Sequence, residues 1–249
     1  MKYMNNNNRK INLDKVSIVD RKDHTSDLWS LFLEKPNNFT FKPGQYCTIG
    51  VDGIERAYSI VSAPHEDKIE LFIELVPFPD GILTPKLYDL NVGDQVTIRP
   101  RAKGLFTFKK EFTNHLLIAT VTGIVPYISY IRDYIYRSCL GNKFFILLGA
   151  SYINEFVYDS ELIDLSTSYS DFIKFIPTIS RPNEPENIKW PGEIGRVNQI
   201  VEKYVNLFDI SSDDTLVSAC GHPGMIENVK EILGDKGFSI EEERYWKED

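Results

Sequence analysis

Arg56-Ala57-Tyr58-Ser59 sets a guanidinium two residues before an aromatic ring, with a hydroxyl beside the ring. Alternate side chains of a strand share a face. A strand through these residues therefore offers Arg56 and Tyr58 together to a ligand that carries both a diphosphate and a flat ring. Two distant pieces add compatible chemistry. Cys220-Gly221-His222-Pro223 ends an apolar run with a small thiol and a glycine, and Tyr245-Trp246 places two large rings late in the chain. Aromatic stacking contributes about 0.5–1.5 kcal/mol beyond burial, enough for a ring to hold a planar ligand and still yield to another. Alone, Arg56 to Ser59 is equally an ordinary surface arginine beside a core tyrosine. The three pieces gain meaning only if the fold joins them.

The elements that must join them fall into two rhythms. Val16 to Val19, Leu28 to Leu33, Tyr46 to Val51, Ala57 to Val61, Ile69 to Val76 and Gln95 to Ile98 are short β-rich runs. Turn residues such as Pro36-Asn37-Asn38, Asp52-Gly53, Asp80-Gly81 and Val92-Gly93-Asp94 separate them. Such a series suggests an antiparallel barrel, interrupted by a short helix from Leu83 to Leu90 with Thr84 as its N-cap. After about Thr113 strands alternate with helices. Leu116 to Ala119, Phe144 to Leu148, Phe172 to Ile176 and Thr215 to Ser218 read as strands, and Ile194 to Leu207 reads as a helix before the last of them. That alternation marks a parallel sheet with helices on both faces, whose ligands bind at the carboxyl ends of the strands. We therefore expect two domains, an antiparallel β-barrel over 12–112 and a Rossmann-like α/β domain over 113–249. Residues 1–11, rich in asparagine, read as a disordered lead.

Composition excludes several classes. The 249 residues carry 28 Lys and Arg against 36 Asp and Glu, a net charge of -8 that disfavours a nucleic-acid partner. No apolar run approaches the roughly 18–20 residues that span a bilayer, which points to a cytoplasmic protein. The three cysteines, Cys47, Cys139 and Cys220, are too few and too scattered for an iron–sulfur cluster of the chain's own. The four histidines, His24, His65, His115 and His222, lack metal-ligand spacing, so no metal is expected. One basic stretch opposes the overall charge: Arg99, Arg101, Lys103, Lys109 and Lys110 occur with no acidic residue among 99–110. It reads either as a charged strand edge or as a docking patch for an acidic partner.

Gly44-Gln45-Tyr46, Arg56 to Ser59, Leu83-Thr84-Pro85, Thr122-Gly123-Ile124-Val125-Pro126, Ser180-Arg181, Cys220-Gly221 and Tyr245-Trp246 occur in one order. As a set the chain resembles the bacterial ferredoxin (flavodoxin) NADP reductases, from about Val16 to Trp246. The resemblance implies an FAD site. Arg56 would meet the diphosphate, Ala57 and Tyr58 the flavin face, and Ser59 the flavin N5. Backbone groups of Phe72, Ile73 and Glu74 and the Leu83-Thr84 turn, with Thr122, would hold the remainder. Tyr245 would stack on the nicotinamide-facing side and Trp246 on the adenine.

The resemblance also implies an NADP site, with Thr122, Gly123, Cys220 and Gly221 around the pyrophosphate and nicotinamide. Ser151, Ser180, Arg181 and Arg196 fall at the positions for the 2'-phosphate. Cys220 would orient the nicotinamide, and Glu243 would relay protons to the flavin environment. Two departures stand out: Val121 and Ser151 replace a usual glycine and a frequent arginine. The implied activity is electron transfer between NADPH and ferredoxin or flavodoxin by a monomer, docked through Arg99, Arg101, Lys103, Lys109 and Lys110. The rival readings are a reductase serving an oxygenase or small acceptors, and a flavin-binding electron-transfer subunit whose nicotinamide site Val121 impairs.

Overall fold

The computed structural model describes residues 13–245. The expected disordered lead over 1–11 and the expected adenine-stacking Trp246 lie outside the described residues.

The first sheet is antiparallel and is built from β1 (Asp14–Asp23), β2 (Leu28–Glu34), β3 (Tyr46–Val51), β4 (Ile54–Ser59), β5 (Lys68–Glu74) and β6 (Gln95–Ile98). Its spatial order is β4-β3-β6-β1-β2-β5. Beyond Ser59 the chain leaves β4 and crosses to the far edge, where Val61 N donates to Glu70 O at 2.9 Å and nearly closes the barrel. The expected strand over Ala57 to Val61 thus starts earlier and stops at Ser59. Trp29, Leu31, Leu33, Ile49, Ile69 and Leu71 fill the interior, each removed from water at a gain of about 25 cal/mol per Å².

The helix α1 (Leu83–Tyr88) starts at the expected residue, stops two residues early and carries a different cap. Ile82, not Thr84, is its N-cap. The Thr84 hydroxyl is used elsewhere, accepting from Val76 N at 3.0 Å and donating to Val76 O at 2.8 Å. It pins the loop before the helix against the end of β5.

The second sheet is parallel throughout and comprises β7 (Asn114–Thr120), β8 (Lys143–Ala150), β9 (Ile173–Ile179), β10 (Glu193–Ile194), β11 (Thr215–Gly221) and β12 (Ser239–Arg244). The order β10-β9-β8-β7-β11-β12 reverses direction at β7, the kind of switch point where open α/β sheets bind ligands. Helices α2 (Val125–Tyr136) and α3 (Asp159–Ser168) cover one face, and α4 (Val197–Leu207) and α5 (Pro223–Gly234) cover the other. The expected helix over Ile194 to Leu207 begins three residues late, because Glu193 and Ile194 pair with Thr178 and Ile179 as β10.

The two sheets share one core. Leu28, Val61, Phe72 and Phe106 pack in the same apolar cluster as Tyr127, Ile128 and Ile131 of α2. Polar groups cross the same seam. Arg132 of α2 donates to Glu70 of β5 at 2.7 Å and forks onto Glu161 of α3 with two 2.8 Å bonds. Tyr158 completes the Glu70 carboxylate at 2.9 Å, and Ser129 donates to Ser62 O at 2.8 Å. Gly44 marks the closest approach. With φ at +84°, its Cβ would stand 2.2 Å from Phe106 O and 2.4 Å from a Tyr130 ring carbon, so the Pro43-Gly44 turn tolerates no side chain.

Candidate functional site

A cavity of about 750 Å³ opens between the two sheets, within the range of about 300–1,000 Å³ typical of cofactor sites. Arg56, Ala57, Tyr58 and Ser59 of β4 form one wall, and Phe72, Ile73 and Glu74 of β5 form another. Leu83 and Thr84 close one end, while Thr122, Glu243 and Tyr245 enter from the parallel sheet. Arg56 and Ala57 are exposed and Tyr58 is half-buried. One cation, one ring and one hydroxyl thus follow each other along the wall. This donor set suits a dinucleotide bearing a diphosphate and a flat ring system.

Residues that motif reading missed also line the cavity, notably Tyr46, Val76 and the 80–82 turn. Gly81 was legible only as a turn residue. A Cβ there would lie 1.9 Å from Val76 O, so glycine lets this loop fold back over the cavity's end.

The junction of the sheets is the most chemically loaded part of the site. The Ser59 hydroxyl donates to Glu243 Oε2 at 3.3 Å, joining residues 184 apart. Tyr245 donates to Thr122 O at 3.2 Å. Glu243 and Cys220 are register partners of β12 and β11. Burial raises the Glu243 carboxyl to about 7, opposed by the Ser59 bond and reinforced by the negative charge of Glu241. Burial pushes the Cys220 thiol far up as well, so it stands there as a neutral group that packs and positions, not as a thiolate.

The residues expected around the nucleotide gather at the carboxyl edge of the second sheet. Gly123 backs onto Cys220, whose carbonyl would lie 2.2 Å from a Cβ at that glycine. Gly221, at φ +122°, would collide with the Thr120 hydroxyl 2.3 Å away. Val121 adopts φ +41°, a left-handed conformation that a β-branched residue takes up only under strain. Parallel pairing of Ala150 with Ile179 puts Ser151 level with Ser180. Pairing of Ile179 with Ile194 likewise makes the loops that carry Arg181 and Arg196 leave the ends of neighbouring strands.

Three residues there were not foreseen. Glu155 accepts from Ser151 N at 2.6 Å and Tyr152 N at 3.0 Å, so a carboxylate sits among the expected phosphate ligands. Tyr152 accepts a 2.6 Å bond from Arg181, whose guanidinium lies over its ring. Buried Asn187 ties Ser151 O and Arg181 O together with 2.8 Å bonds. No spacing in the sequence signals these contacts, because each links separate loops.

The basic stretch is less free than its sequence implies. Arg99 forks onto Glu55 at 2.8 and 3.0 Å. Lys109 is held by Leu105 O and Thr107 O at 3.0 and 2.9 Å and faces Glu241 at 3.5 Å. Arg101, Lys103 and Lys110 are exposed and form no ion pair among the described residues.

Residues 8–87 match an FAD-binding domain family and residues 117–231 an oxidoreductase NAD-binding domain family. A flavodoxin/ferredoxin–NADP reductase of Buchnera aphidicola subsp. Baizongia pistaciae is 32% identical over 252 residues, covering 93% of this chain and 98% of its relative. The chain belongs to this reductase family. A ferredoxin–NADP reductase of Pseudomonas aeruginosa is 28% identical over 233 residues, covering 87% and 88% of the two chains. A ferredoxin NADP+ reductase from Neisseria gonorrhoeae, solved with bound FAD and NADP, superimposes with a TM-score of 0.80 at 23% identity over 94% of this chain and 99% of that one. It shares the fold of barrel and parallel sheet described above.

The raised Glu243 carboxyl has a consequence for stability. The folded chain keeps this proton between 4.5 and about 7, where an unfolded chain has lost it. Stability from this group is therefore full at low pH and falls as pH rises through 7. Glu243→Gln carries no such penalty, so its urea-unfolding free energy should gain about 2 kcal/mol on the wild type between pH 5 and pH 8.5. Parallel pH dependences would contradict the assignment.

Proposed function

We propose that this chain is an FAD-dependent reductase that moves electrons between NADPH and a one-electron carrier, ferredoxin or flavodoxin. The observation that carries the reading is the single cavity walled by Arg56 to Ser59 on one side and by Thr122, Glu243 and Tyr245 on the other. A hydride donor and a flavin need to meet at such a junction. FAD, when bound, accepts a hydride and releases electrons singly.

The chain's own groups bind and orient it. Arg56 neutralises the diphosphate, and Tyr58 and Tyr245 flank the ring system. Ser59 hydrogen-bonds near N5, while Phe72, Ile73, Glu74, Leu83 and Thr84 shape the remainder of the cavity. Tyr245 also occupies the place a nicotinamide needs and moves aside for it. Thr122, Gly123 and Gly221 let the pyrophosphate approach backbone closely, and Cys220 packs beneath the nicotinamide. Arg181 and Arg196, with Ser151 and Ser180, take the 2'-phosphate and favour NADPH over NADH. Val121 and Glu155 both weaken this half of the site relative to an unstrained, all-cationic one.

The same reading divides the chain into a lead over 1–11, an FAD domain over 12–112 and an NADP domain over 113–249, and makes the protein a cytoplasmic monomer. Of the described helices none is long and apolar enough to cross a membrane. Because Arg99 and Lys109 are already paired, Arg101, Lys103 and Lys110 remain as the groups that steer an acidic carrier.

Anaerobic titration of the purified protein tests the function. Near-stoichiometric NADPH should bleach the oxidised-flavin absorbance, with NADH effective only in large excess. Absence of bleaching with either nucleotide would overturn the reading. For the carrier, charge reversal at Arg101 and Lys103 should raise the KM for flavodoxin about tenfold and flatten its salt dependence, and an unchanged KM would remove the patch from docking.

A further inference from the structure

The barrel strand β5 carries Glu70, Phe72 and Glu74 on its outer side, because alternate residues of a strand share a face. Ile69, Leu71 and Ile73 point the other way, into the barrel core. The two carboxylates of the outer row have opposite surroundings. Glu70 is buried at the seam and fully engaged, by Arg132 at 2.7 Å and by the Tyr158 hydroxyl at 2.9 Å. Phe72 packs next to it, edge-on to the Tyr158 ring. Glu74 follows and lines the cavity.

Glu74 is half-buried, yet among the described residues its carboxylate has no hydrogen-bond donor and no cation. Burial first, and then the negative charges of Asp27 and Glu155, hold its carboxyl above the ordinary carboxylate range. Both of those neighbours are themselves occupied. Asp27 accepts from the Thr25 hydroxyl at 2.6 Å, and Glu155 accepts from Ser151 N and Tyr152 N. A carboxylate withdrawn from water without a donor is costly to keep. The donor that complements Glu74 therefore comes from a ligand.

Its place on the wall narrows the ligand group. Along β5 it lies between Phe72 at the seam and Val76, which Thr84 clips at the far end. The cavity's cation, Arg56, stands on the β4 wall. An uncompensated carboxylate repels a phosphate, so a diphosphate belongs with Arg56. The two oxygens of a carboxylate each accept, and a pair of neighbouring hydroxyls complements them, as where an acidic side chain holds a ribose in dinucleotide sites. On the function proposed above, which this inference takes as given, the cofactor carries such hydroxyls twice, in its ribityl chain and in its adenosine ribose.

We propose that the Glu74 side chain recognises the carbohydrate of the flavin dinucleotide, its carboxylate accepting hydrogen bonds from neighbouring hydroxyls. The family resemblance implies a role for the backbone of this stretch only. The carboxylate adds selection, favouring a flavin with a hydroxylated chain over a bare ring system. It also disfavours any pose with the diphosphate against β5. Arg56 and Glu74, one of each charge, thereby fix which side of the dinucleotide meets which wall.

Flavin binding by the full-length chain tests this without nucleotide or carrier. Wild type, Glu74→Ala and Glu74→Gln are stripped of flavin and titrated with FAD, riboflavin and lumiflavin, following flavin fluorescence. Glu74→Ala should raise the Kd for FAD at least about tenfold, and Glu74→Gln, which keeps one acceptor oxygen, should raise it less. Lumiflavin, whose ring bears a methyl group in place of the hydroxylated chain, should bind all three proteins alike. Riboflavin separates the two sources: a loss equal to that of FAD assigns the ribityl hydroxyls, and an unchanged Kd assigns the adenosine ribose. An FAD Kd unaltered by Glu74→Ala, with tight binding in the wild type, would overturn the inference and leave the function standing. Equal losses for lumiflavin would also overturn it, because the effect would then lie on the ring or on the general shape of the cavity. A wild type that binds no flavin would remove the function and this inference together.

Discussion

The seam between the two sheets depends on one largely buried cation, Arg132, whose side chain is 20% exposed. It joins Glu70 of the barrel to Glu161 of the parallel-sheet domain, and Tyr158 completes the Glu70 carboxylate. A buried ion pair adds little net stability over an apolar replacement, but losing one partner costs about 3–5 kcal/mol because the other charge is stranded. The consequence is geometric more than energetic. α2 is fixed against the barrel, and β7 and β11, which flank its approach, are fixed with it. The cavity acquires its second wall only through that seam.

The same constraint explains the glycines and the strain. Gly44 is where barrel backbone meets Tyr130, and Gly123 and Gly221 are where the nucleotide loop meets its neighbouring strand. At these places two backbones approach within a side chain's width. Val121 sits in the same loop without that freedom and is held at φ +41°. Packing against the core around α2 holds it there, as expected when surrounding structure over-determines a strained residue. Holding Val121 in that conformation costs the chain on the order of 1–3 kcal/mol.

Sequence reasoning grouped those cavity-lining residues that lie along single strands or turns. Arg56 and Tyr58 follow from strand periodicity, and the carboxyl-edge loops follow from the alternation of strands and helices. What it lost were contacts closed over long separations. The basic stretch looked unopposed because Glu55 and Glu241, which neutralise Arg99 and Lys109, lie outside it. Thr84 looked like a cap because nothing local reveals its bond to Val76. Glu155, Asn187 and the Arg132 network involve side chains whose partners only the folded chain selects. Glu241, Glu242 and Glu243 are adjacent in the chain, yet strand pairing turns 241 and 243 inward and leaves Glu242 on Lys230 and Arg244.

The central claim is that the seam brings a nicotinamide and a flavin into contact for direct hydride transfer. Stopped-flow reduction of the FAD-loaded protein by NADPH deuterated at one or the other face of C4 tests it most directly. The account predicts that flavin bleaching slows with only one of the two deuterated forms, because Tyr245 and Cys220 admit the nicotinamide in one orientation. Equal rates with both forms and with unlabelled NADPH, under conditions where bleaching follows binding, would contradict it.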